Sequence, residues 1–577
     1  MGAEIDASFP SFPNSAGISI GGSSALFVPS GGAETFSETV LSFGTVRGRI
    51  GYAPGNWLFY ATGGLAWTYD HLTLTPSASE VAAAPFLWRF GWAAGAGVEV
   101  PVAPRWSARL EYLFTDYAIS SVTLPFMGQR FSSDFALQEL RAGVNYRFTN
   151  DATSANAVTK ATGSSDLENV NFHGQTTFVW QGYPAFRSAF SGTNSLPAGG
   201  QGRETWDATL YAGVRLWQGA ELWIDPEIDQ GFGLHNSLGV AGFTTGTAFK
   251  VGADFPYSRV QRYFLRQTID LGGGTEKVAA DLNQFAGSHA PNRVVVTVGK
   301  FSVSDIFDTN KYAQNTRQDF MNWGLIDAGS FDYAADAWGF SYGVSVEWYL
   351  GNWTLRGGWF DLSIVPNSTE LDPTFRQFQC IGEIERRYEL WSHPGKVAVT
   401  GFLSRGRMGT FEDAIALAAI TGGPAEMAPV RRYRSRPGLA INVEQEITSD
   451  LGVFMRAGMT DGNVEPYDYT DIDRTIAAGL SLTGKRWGRP SDTFGLAGIV
   501  NGISPAHVAF FNDGGLGILV GDGMLPHPGP EEIIETYYKL PLYAWNLTFD
   551  YQLIVNPAYN RDRGPVSVFG VRLHTQF

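Results

Sequence analysis

Apolar and polar residues alternate along most of this chain, in runs of about ten residues separated by Gly, Asn, Asp and Pro. The last run shows the pattern well, because every second residue of an extended chain falls on the same side. One side carries Phe569, Val571, Leu573, Thr575 and Phe577, and the other carries Val568, Gly570, Arg572, His574 and Gln576. A period of two predicts β-strands.

The apolar faces of these strands have the features of faces that meet lipid. Several begin or end in the aromatic residues that form rings at membrane interfaces, namely Trp338 and Trp348, Trp353 and Trp359, Trp545, and Phe577. A tilted strand needs roughly 9–11 residues to cross hydrocarbon, which the runs provide. A soluble antiparallel sheet also alternates and stays an alternative. Because a sheet in lipid must close on itself, the pattern predicts an all-β fold of transmembrane antiparallel β-barrels.

A stretch without aromatic residues, 149–171, divides the chain and is rich in Ser, Thr, Asn and Ala. This composition predicts a linker. The run just before it, LQELRAGVNYRF, ends in Phe148 and resembles the run that ends the chain. We therefore predict a small barrel over 1–148, the linker, and a larger barrel over 172–577.

The first part has strand candidates near 2–10, 41–53, 57–70, 87–101 and 105–118 before its closing strand. Their polar faces carry charges that fit the filled interior of a narrow barrel, at Arg47, Arg49, Arg109, Glu111, Arg141 and Arg147. FGTVRGRIGYAPGNWLFYATGGLAWTY, GWAAGAGVEV, WSARLEYLFTDY and LRAGVNYRF resemble the eight-stranded Omp25/Omp31-like outer-membrane barrels of alphaproteobacteria. That family has two earlier strands, so the resemblance implies an incomplete eight-stranded barrel, an internal start codon and a signal peptide lost upstream.

The second part is predicted to contain about sixteen strands. It has one more candidate run than that, so one of the candidates, which include 276–283, is expected to be a loop. Sixteen strands leave an aqueous channel. Residues 411–420 and 504–514 are predicted to form helices in loops.

Long stretches of this part are similar to the carbohydrate-selective porins of the OprB family. They include TWDATLYAGVRLWQGAELWIDPEIDQGFGL, RVQRYFLRQTIDLGG and GKFSVSDIFDTNKYAQNTRQDFMNWGLIDAGSFDYAADAWGFSYG. The resemblance implies a sixteen-stranded outer-membrane channel, narrowed by inward loops, for the diffusion of sugars such as glucose into the periplasm.

A sugar passes best where aromatic faces and paired charges bind it weakly. The segment 303–336 offers these residue types and is the candidate constriction, with Asp305, Asp308, Asn310, Tyr312, Arg317, Asp319, Asn322, Trp323, Asp332 and Asp336. The alternative for single residues is turn formation or packing. Inward strand positions add Arg262, Arg266, Asp225 and Glu227, which could equally be ordinary lumen lining.

Composition narrows the function further. The net charge is −15 with no long basic run, which argues against nucleic acid as a partner. One cysteine, Cys380, excludes an intramolecular disulfide, and the scattered histidines favour neither a metal nor a cofactor. No enzyme motif is present, and no apolar run reaches the about 20 residues of a membrane-spanning helix.

The expected partners are small carbohydrates, outer-membrane lipid and lipopolysaccharide, and the barrel-assembly machinery, which would recognise the strand ending at Phe577. Two other functions stay open. They are a general or anion-biased diffusion pore, and an envelope protein with a structural or interaction role.

Overall fold

The computed structural model describes residues 2–8, 19–22, 35–53, 57–75, 86–103, 106–123, 130–146 and 169–577. The chain divides into two compact units, Met1–Val170 with Phe255–Arg259, and Asn171–Asp254 with Val260–Phe577. Arg147, Phe148 and most of the predicted linker, up to residue 168, lie outside the described residues. The first strand of the larger barrel begins at Val170, two residues before the predicted start of that barrel at 172.

The first unit is an antiparallel sheet. Its strands are β1 (Gly2–Ser8), β2 (Ser19–Gly22), β3 (Thr35–Tyr52), β4 (Leu58–Thr75), β5 (Phe86–Ala103), β6 (Trp106–Thr123) and β7 (Arg130–Tyr146). The order is β1-β3-β4-β5-β6-β7, and β2 also pairs with β3. Over its described residues this sheet is open, since β1 pairs only with β3 and β7 only with β6.

The two faces of this sheet differ as the alternation predicts. Leu65, Phe90 and Leu140 face outward with about seven-tenths of their surface exposed (71%, 68% and 74%). Arg47 on the other face is buried and pairs with Asp6 at 2.8 Å and Glu111 at 2.9 Å. Arg141 on β7 also reaches Asp6 on β1, at 3.3 Å. The predicted interior ion pairs are therefore present for Arg47, Glu111 and Arg141.

The second unit is a closed antiparallel barrel of sixteen strands. The wall consists of β8 (Val170–Tyr183), β9 (Gln201–Trp217), β10 (Ala220–Gln230), β11 (Tyr257–Gly272), β14 (Asn292–Phe301), β15 (Ser341–Leu350), β16 (Trp353–Asp361), β17 (Phe378–Leu390), β18 (His393–Met408), β19 (Arg432–Thr448), β20 (Leu451–Thr460), β21 (Arg474–Gly484), β22 (Arg489–Gly502), β23 (Glu531–Leu542), β24 (Trp545–Val555) and β25 (Val566–Gln576). Pairing of β25 with β8 closes the ring.

The run 276–283 is the candidate that is not a wall strand. It contributes β12 (Glu276–Val278), which pairs only with β13 (Gly287–His289) in a small separate hairpin. The helices Phe411–Thr421 and Pro505–Asn512 confirm the two helical predictions, and a third helix spans Trp323–Ile326. None of the helices in the described part of the chain has the length and apolar character to cross a membrane.

Successive connections lie at alternate ends of the barrel, and those at one end are short except 273–291, which contains the β12–β13 hairpin. One end, here called the turn end, has connections 218–219, 273–291, 351–352, 391–392, 449–450, 485–488 and 543–544. The other, the loop end, has connections 184–200, 231–256, 302–340, 362–377, 409–431, 461–473, 503–530 and 556–565. Outer-membrane barrels place short turns in the periplasm and long loops outside the cell.

The outer surface of the barrel is an apolar belt. On β15 the outward residues Val344, Val346 and Trp348 are about two-fifths exposed (37%, 43% and 41%), whereas inward Ser345 is buried. Trp338, which the alternation places on the same outward face, is instead buried before the strand begins at Ser341. The chain turns into the barrel there. The alternation therefore starts at Ser341 and does not extend back to Trp338.

Candidate constriction inside the barrel

The connection 302–340, here called the inner loop, folds into the lumen. It bonds to inward side chains around the ring, namely Asp207 on β9, Glu227 on β10, Arg262 on β11, Lys300 on β14, Glu383 on β17, Asn442 on β19, Arg456 on β20, Glu535 on β23, Gln552 on β24 and Arg572 on β25. Partners on opposite sides of the wall require that the loop crosses the lumen.

A buried ion pair anchors the middle of this loop. Arg456 Nε donates to Asp308 Oδ2 at 3.1 Å, and both side chains are fully buried. Arg456 Nη1 also donates to the carbonyls of Ala313 and Leu325, both at 2.7 Å. Asp308 in turn accepts from the Ala328 backbone N–H at 2.7 Å. Satisfying buried backbone groups in this way fixes the loop to the wall.

Four more predicted residues act as anchors. Asn310 bonds to Asn442 at 2.7 Å, and Asn322 donates to the Gly242 carbonyl at 2.8 Å. Asp332 accepts from the Tyr467 backbone N–H at 2.6 Å and pairs with Arg436 at 3.3 Å. Asp336 pairs with Lys300 at 2.7 Å. Their polar atoms are committed to protein partners.

Two predicted residues have local roles. Asp319 accepts from the backbone N–H of Asn315 at 3.1 Å and closes a turn. The Tyr312 ring lies against Gly452 of β20, where a Cβ would come within 2.0 Å of the ring. The glycine thus lets the loop approach the wall.

Five other predicted charges meet in one place, and the structure adds Asp207, which was not predicted. These six residues are here called the charged cluster: Asp207, Asp225, Glu227, Arg262, Asp305 and Arg317. Arg262 and Asp305 share two hydrogen bonds of 2.7 Å each. Arg317 donates to Asp207 at 2.7 Å and to Glu227 at 3.2 Å. The side chains of Arg262, Asp305 and Arg317 keep 15%, 33% and 18% of their surface exposed, so this cluster faces the aqueous part of the lumen.

Asp225 and Arg266 are the two remaining predicted charges on the barrel wall. Asp225 Oδ2 accepts from Asn283 at 2.8 Å, while its Oδ1 has no hydrogen-bond partner among the described residues. Arg266 lies further along β11 and donates to the Asn283 carbonyl at 2.8 Å. Arg266 therefore lies next to the cluster and toward the turn end.

Rings from three loops pack together beside the inner loop and form the aromatic cluster: Phe243, Trp323, Tyr333 and Tyr469. Trp323 stacks on Phe243 at 5.6 Å with an interplanar angle of 6°. Tyr469 lies 5.0 Å from Trp323 and 4.9 Å from Tyr333. Trp323 is only 3% exposed, whereas Phe243 and Tyr469 are half-buried and offer ring surface to the lumen.

Polar atoms without partners surround these rings. Within the described chain, Trp323 Nε1, Asp327 Oδ1 and the Tyr469 hydroxyl have no hydrogen-bond partner. Burial, together with the nearby Asp308 carboxylate, raises the pKa of Asp327 well above its usual range. These atoms are buried between the loops, so the part of the cluster that a solute can reach is the half-buried ring surface of Phe243 and Tyr469.

A family model matches most of the larger barrel. The model for the carbohydrate-selective porins of the OprB family matches residues 193–577, from the connection after β8 to the C-terminal residue. The chain belongs to the OprB family of carbohydrate-selective porins. OprB of Pseudomonas putida has the same fold, with a TM-score of 0.53 at 14% identity over 71% of this chain and 94% of that chain. Membership places the chain among porins, not enzymes, and in the outer membrane as an integral β-barrel.

The first unit has its own relatives. A model described as an outer membrane protein beta-barrel domain matches residues 2–148. A 31 kDa outer-membrane immunogenic protein of Brucella melitensis is 35% identical over 157 residues, which cover 26% of this chain and 59% of the relative. A 22 kDa outer membrane protein of Rhizobium leguminosarum bv. viciae is 32% identical over 105 residues, or 18% of this chain and 46% of the relative. The chain thus spans about half to three-fifths of the length of these relatives.

Sequence reasoning about this OprB-family member missed Asp207, Phe243, Asp327, Tyr333 and Tyr469. Asp327 and Tyr333 lie within the segment 303–336 but are not among its predicted site residues. Tyr469 belongs to YDYTDID between β20 and β21, a stretch as rich in Tyr and Asp as the inner loop. A loop of that composition between two strands could have been predicted to contribute residues to the lumen.

Proposed function

We propose that this chain is an outer-membrane channel for the passive diffusion of small carbohydrates, and that sugar passes between the charged cluster and the aromatic cluster. Family membership supports a carbohydrate-selective pore. The observation that carries the proposal is the charged cluster, where ion pairs remain partly exposed inside a closed barrel.

The charges of this cluster suit hydroxyl groups. A sugar hydroxyl both donates and accepts, so it can bond to a carboxylate such as Asp305 and to a guanidinium such as Arg262. Because each charge already has a partner, a sugar competes for hydrogen bonds and none of them holds it tightly. Fast exit requires such weak binding at several sites.

The half-buried rings of Phe243 and Tyr469 contribute the apolar side of the contact. A pyranose presents C–H groups on its faces, and an aromatic face covers them while the hydroxyls bond around the rim. Asp327 and the Tyr469 hydroxyl supply unpaired polar atoms next to these rings. Both atoms are buried, so they act on the passing solute through their charge and polarity and not through direct hydrogen bonds.

The proposal extends to substrate, direction and assembly. A neutral monosaccharide of the size of glucose is the expected solute, and it moves from the loop end to the turn end, hence into the periplasm. Phe577 is 55% exposed at the end of the last strand. Its ring is the feature that we expect the barrel-assembly machinery to bind.

Planar-bilayer recording tests the proposal. Purified protein should form small channels whose current falls on addition of glucose or maltose and recovers on washing. Channels of full conductance that are indifferent to every sugar would refute carbohydrate selectivity and favour a general pore. Absence of any conductance from correctly folded protein would favour an envelope-structural role.

A further inference from the structure

A cavity of about 490 Å³ lies at the loop end of β21 and β22. The segments 528–530 and 559–561 cover it, and Val508 of the helix Pro505–Asn512 also lines it. It is separate from the charged and aromatic clusters, whose residues do not contribute to its walls.

The cavity adjoins the apolar belt. Ile476 and Val500 are cross-strand partners that face outward, with 51% and 43% of their surface exposed. Arg474 and Gly502 form the next pair toward the loop end and share that outward face. The cavity therefore opens at the outer boundary of the apolar belt.

Two guanidinium groups line this boundary. Arg474 and Arg561 are exposed, and in the described part of the chain neither lies within ion-pair distance of a carboxylate. The side chains pass over glycines, since a Cβ on Gly502 would come within 2.8 Å of Arg474 Nε and one on Gly529 within 2.5 Å of Arg561 Nε. The glycines thus make room for both charges in one cavity.

The remaining groups nearby do not neutralise this pair. Arg474 Nη2 donates to the Ile503 carbonyl at 3.2 Å, which leaves its other donors for a ligand. Glu532 faces outward on β23 opposite Val500, yet it does not line the cavity. Asp562 accepts from His527 at 2.9 Å.

We propose that this cavity binds a phosphorylated lipid of the outer leaflet, with a phosphate between Arg474 and Arg561 and an acyl chain along Ile476 and Val500. Guanidinium groups bind phosphate through short, charge-assisted hydrogen bonds. A free phosphate ion would gain nothing from the apolar wall, whereas a lipid gains from both parts. This combination selects the lipid over the ion.

Native mass spectrometry in detergent tests the proposal, with a bisphosphorylated glucosamine-disaccharide lipid as the probe. The wild-type chain should retain the lipid, and Arg474→Gln/Arg561→Gln should weaken retention at least about tenfold, because one charge-assisted hydrogen bond contributes about that factor. Arg474→Lys/Arg561→Lys should restore part of it. The matched control is Arg405→Gln/Arg407→Gln, which removes two outward charges at the same end of β18 and should leave retention unchanged.

Folding is checked separately by the heat-resistant barrel band and by channel conductance, which all variants should keep. Equal retention by the wild-type chain and Arg474→Gln/Arg561→Gln would overturn the proposal. So would equal binding of the dephosphorylated lipid, which would indicate an apolar contact alone. Displacement of the lipid by an equimolar amount of inorganic phosphate would assign the site to the free ion instead.

Discussion

Arg262 on β11 and Asp305 in the inner loop form a two-pronged ion pair, with Nε to Oδ2 and Nη2 to Oδ1 both at 2.7 Å. The pair joins the wall to the loop, yet 15% and 33% of the two side chains remain exposed. It therefore differs from the Arg456–Asp308 pair, in which both side chains are fully buried. One pair can meet a solute, and the other can only hold the loop.

Arg262→Gln should weaken sugar binding without unfolding the barrel. Loss of one charged donor is expected to raise the half-blocking sugar concentration about threefold to tenfold. Stability should change by only about 0–1 kcal/mol, because the pair is partly exposed. Arg387→Gln, which changes another inward arginine near the turn end, is the matched control and should leave sugar block unchanged in the same bilayer recordings.

Arg456→Gln should release the inner loop. Removing one partner of a buried ion pair costs about 3–5 kcal/mol, and the carbonyls of Ala313 and Leu325 lose their donor as well. We expect a larger and noisier single-channel conductance together with loss of sugar block. The barrel band should persist on gels, since the wall strands keep their own pairing.

Asp308→Asn/Arg456→Gln completes a double-mutant cycle for this anchor. Because the two groups interact directly, the double variant should lose less free energy of loop anchoring than the sum of the losses in Asp308→Asn and Arg456→Gln. Additive effects on conductance would show that the ion pair does not hold the loop.

Asp327 should make the ion selectivity of the channel depend on pH. Burial and Asp308 raise the pKa of this carboxyl group well above its usual range, so it is neutral at low pH and ionises as pH rises. Cation selectivity, measured from reversal potentials in a salt gradient, should therefore increase with pH. Asp327→Asn should remove this increase. An unchanged pH profile in that variant would show that another group causes the pH dependence.

Acid should loosen the loop-end contact between Asp473 and the helix Pro505–Asn512. Burial acts to raise the pKa of Asp473, but the His507 ring and Arg436 outweigh it and hold the value at about 2. Asp473 also accepts from the Ser504 backbone N–H at 2.8 Å. A lowered carboxyl pKa stabilises the fold above the ordinary value of 3.8, and the stabilisation disappears as pH falls toward 2.

This contribution amounts to about 2 kcal/mol. Hydrogen exchange at the amides of Ser504 to Asn512, corrected for intrinsic rates, should show constant protection down to about pH 4 and a loss below it. Asp473→Asn should lack the protection already at neutral pH. Amides of β15 serve as the internal reference, and a parallel loss there would indicate global unfolding instead.

The alternation of apolar and polar residues is enough to predict the class of fold and most of the outer surface. A period of two fixes which side chains point together, and a face of Val, Leu and Trp can only be covered by lipid or by a core. For this reason the outward position of Trp348 was predictable, and with it that of Val344 and Val346 on the same face, as were the helices in the loops. The resemblance of the long inner loop to the OprB porins indicated the family. The number of strands alone could not have indicated it.

The role of each polar residue of the inner loop depends on the folded wall around it. Asp305 and Asp308 are three positions apart and chemically alike, yet one faces the lumen and the other is buried against Arg456. The difference arises from wall residues far away in the chain, which a local pattern does not encode. The contact between Tyr469 and Trp323 was not predictable either, because it forms where two loops from separate parts of the barrel meet inside the lumen.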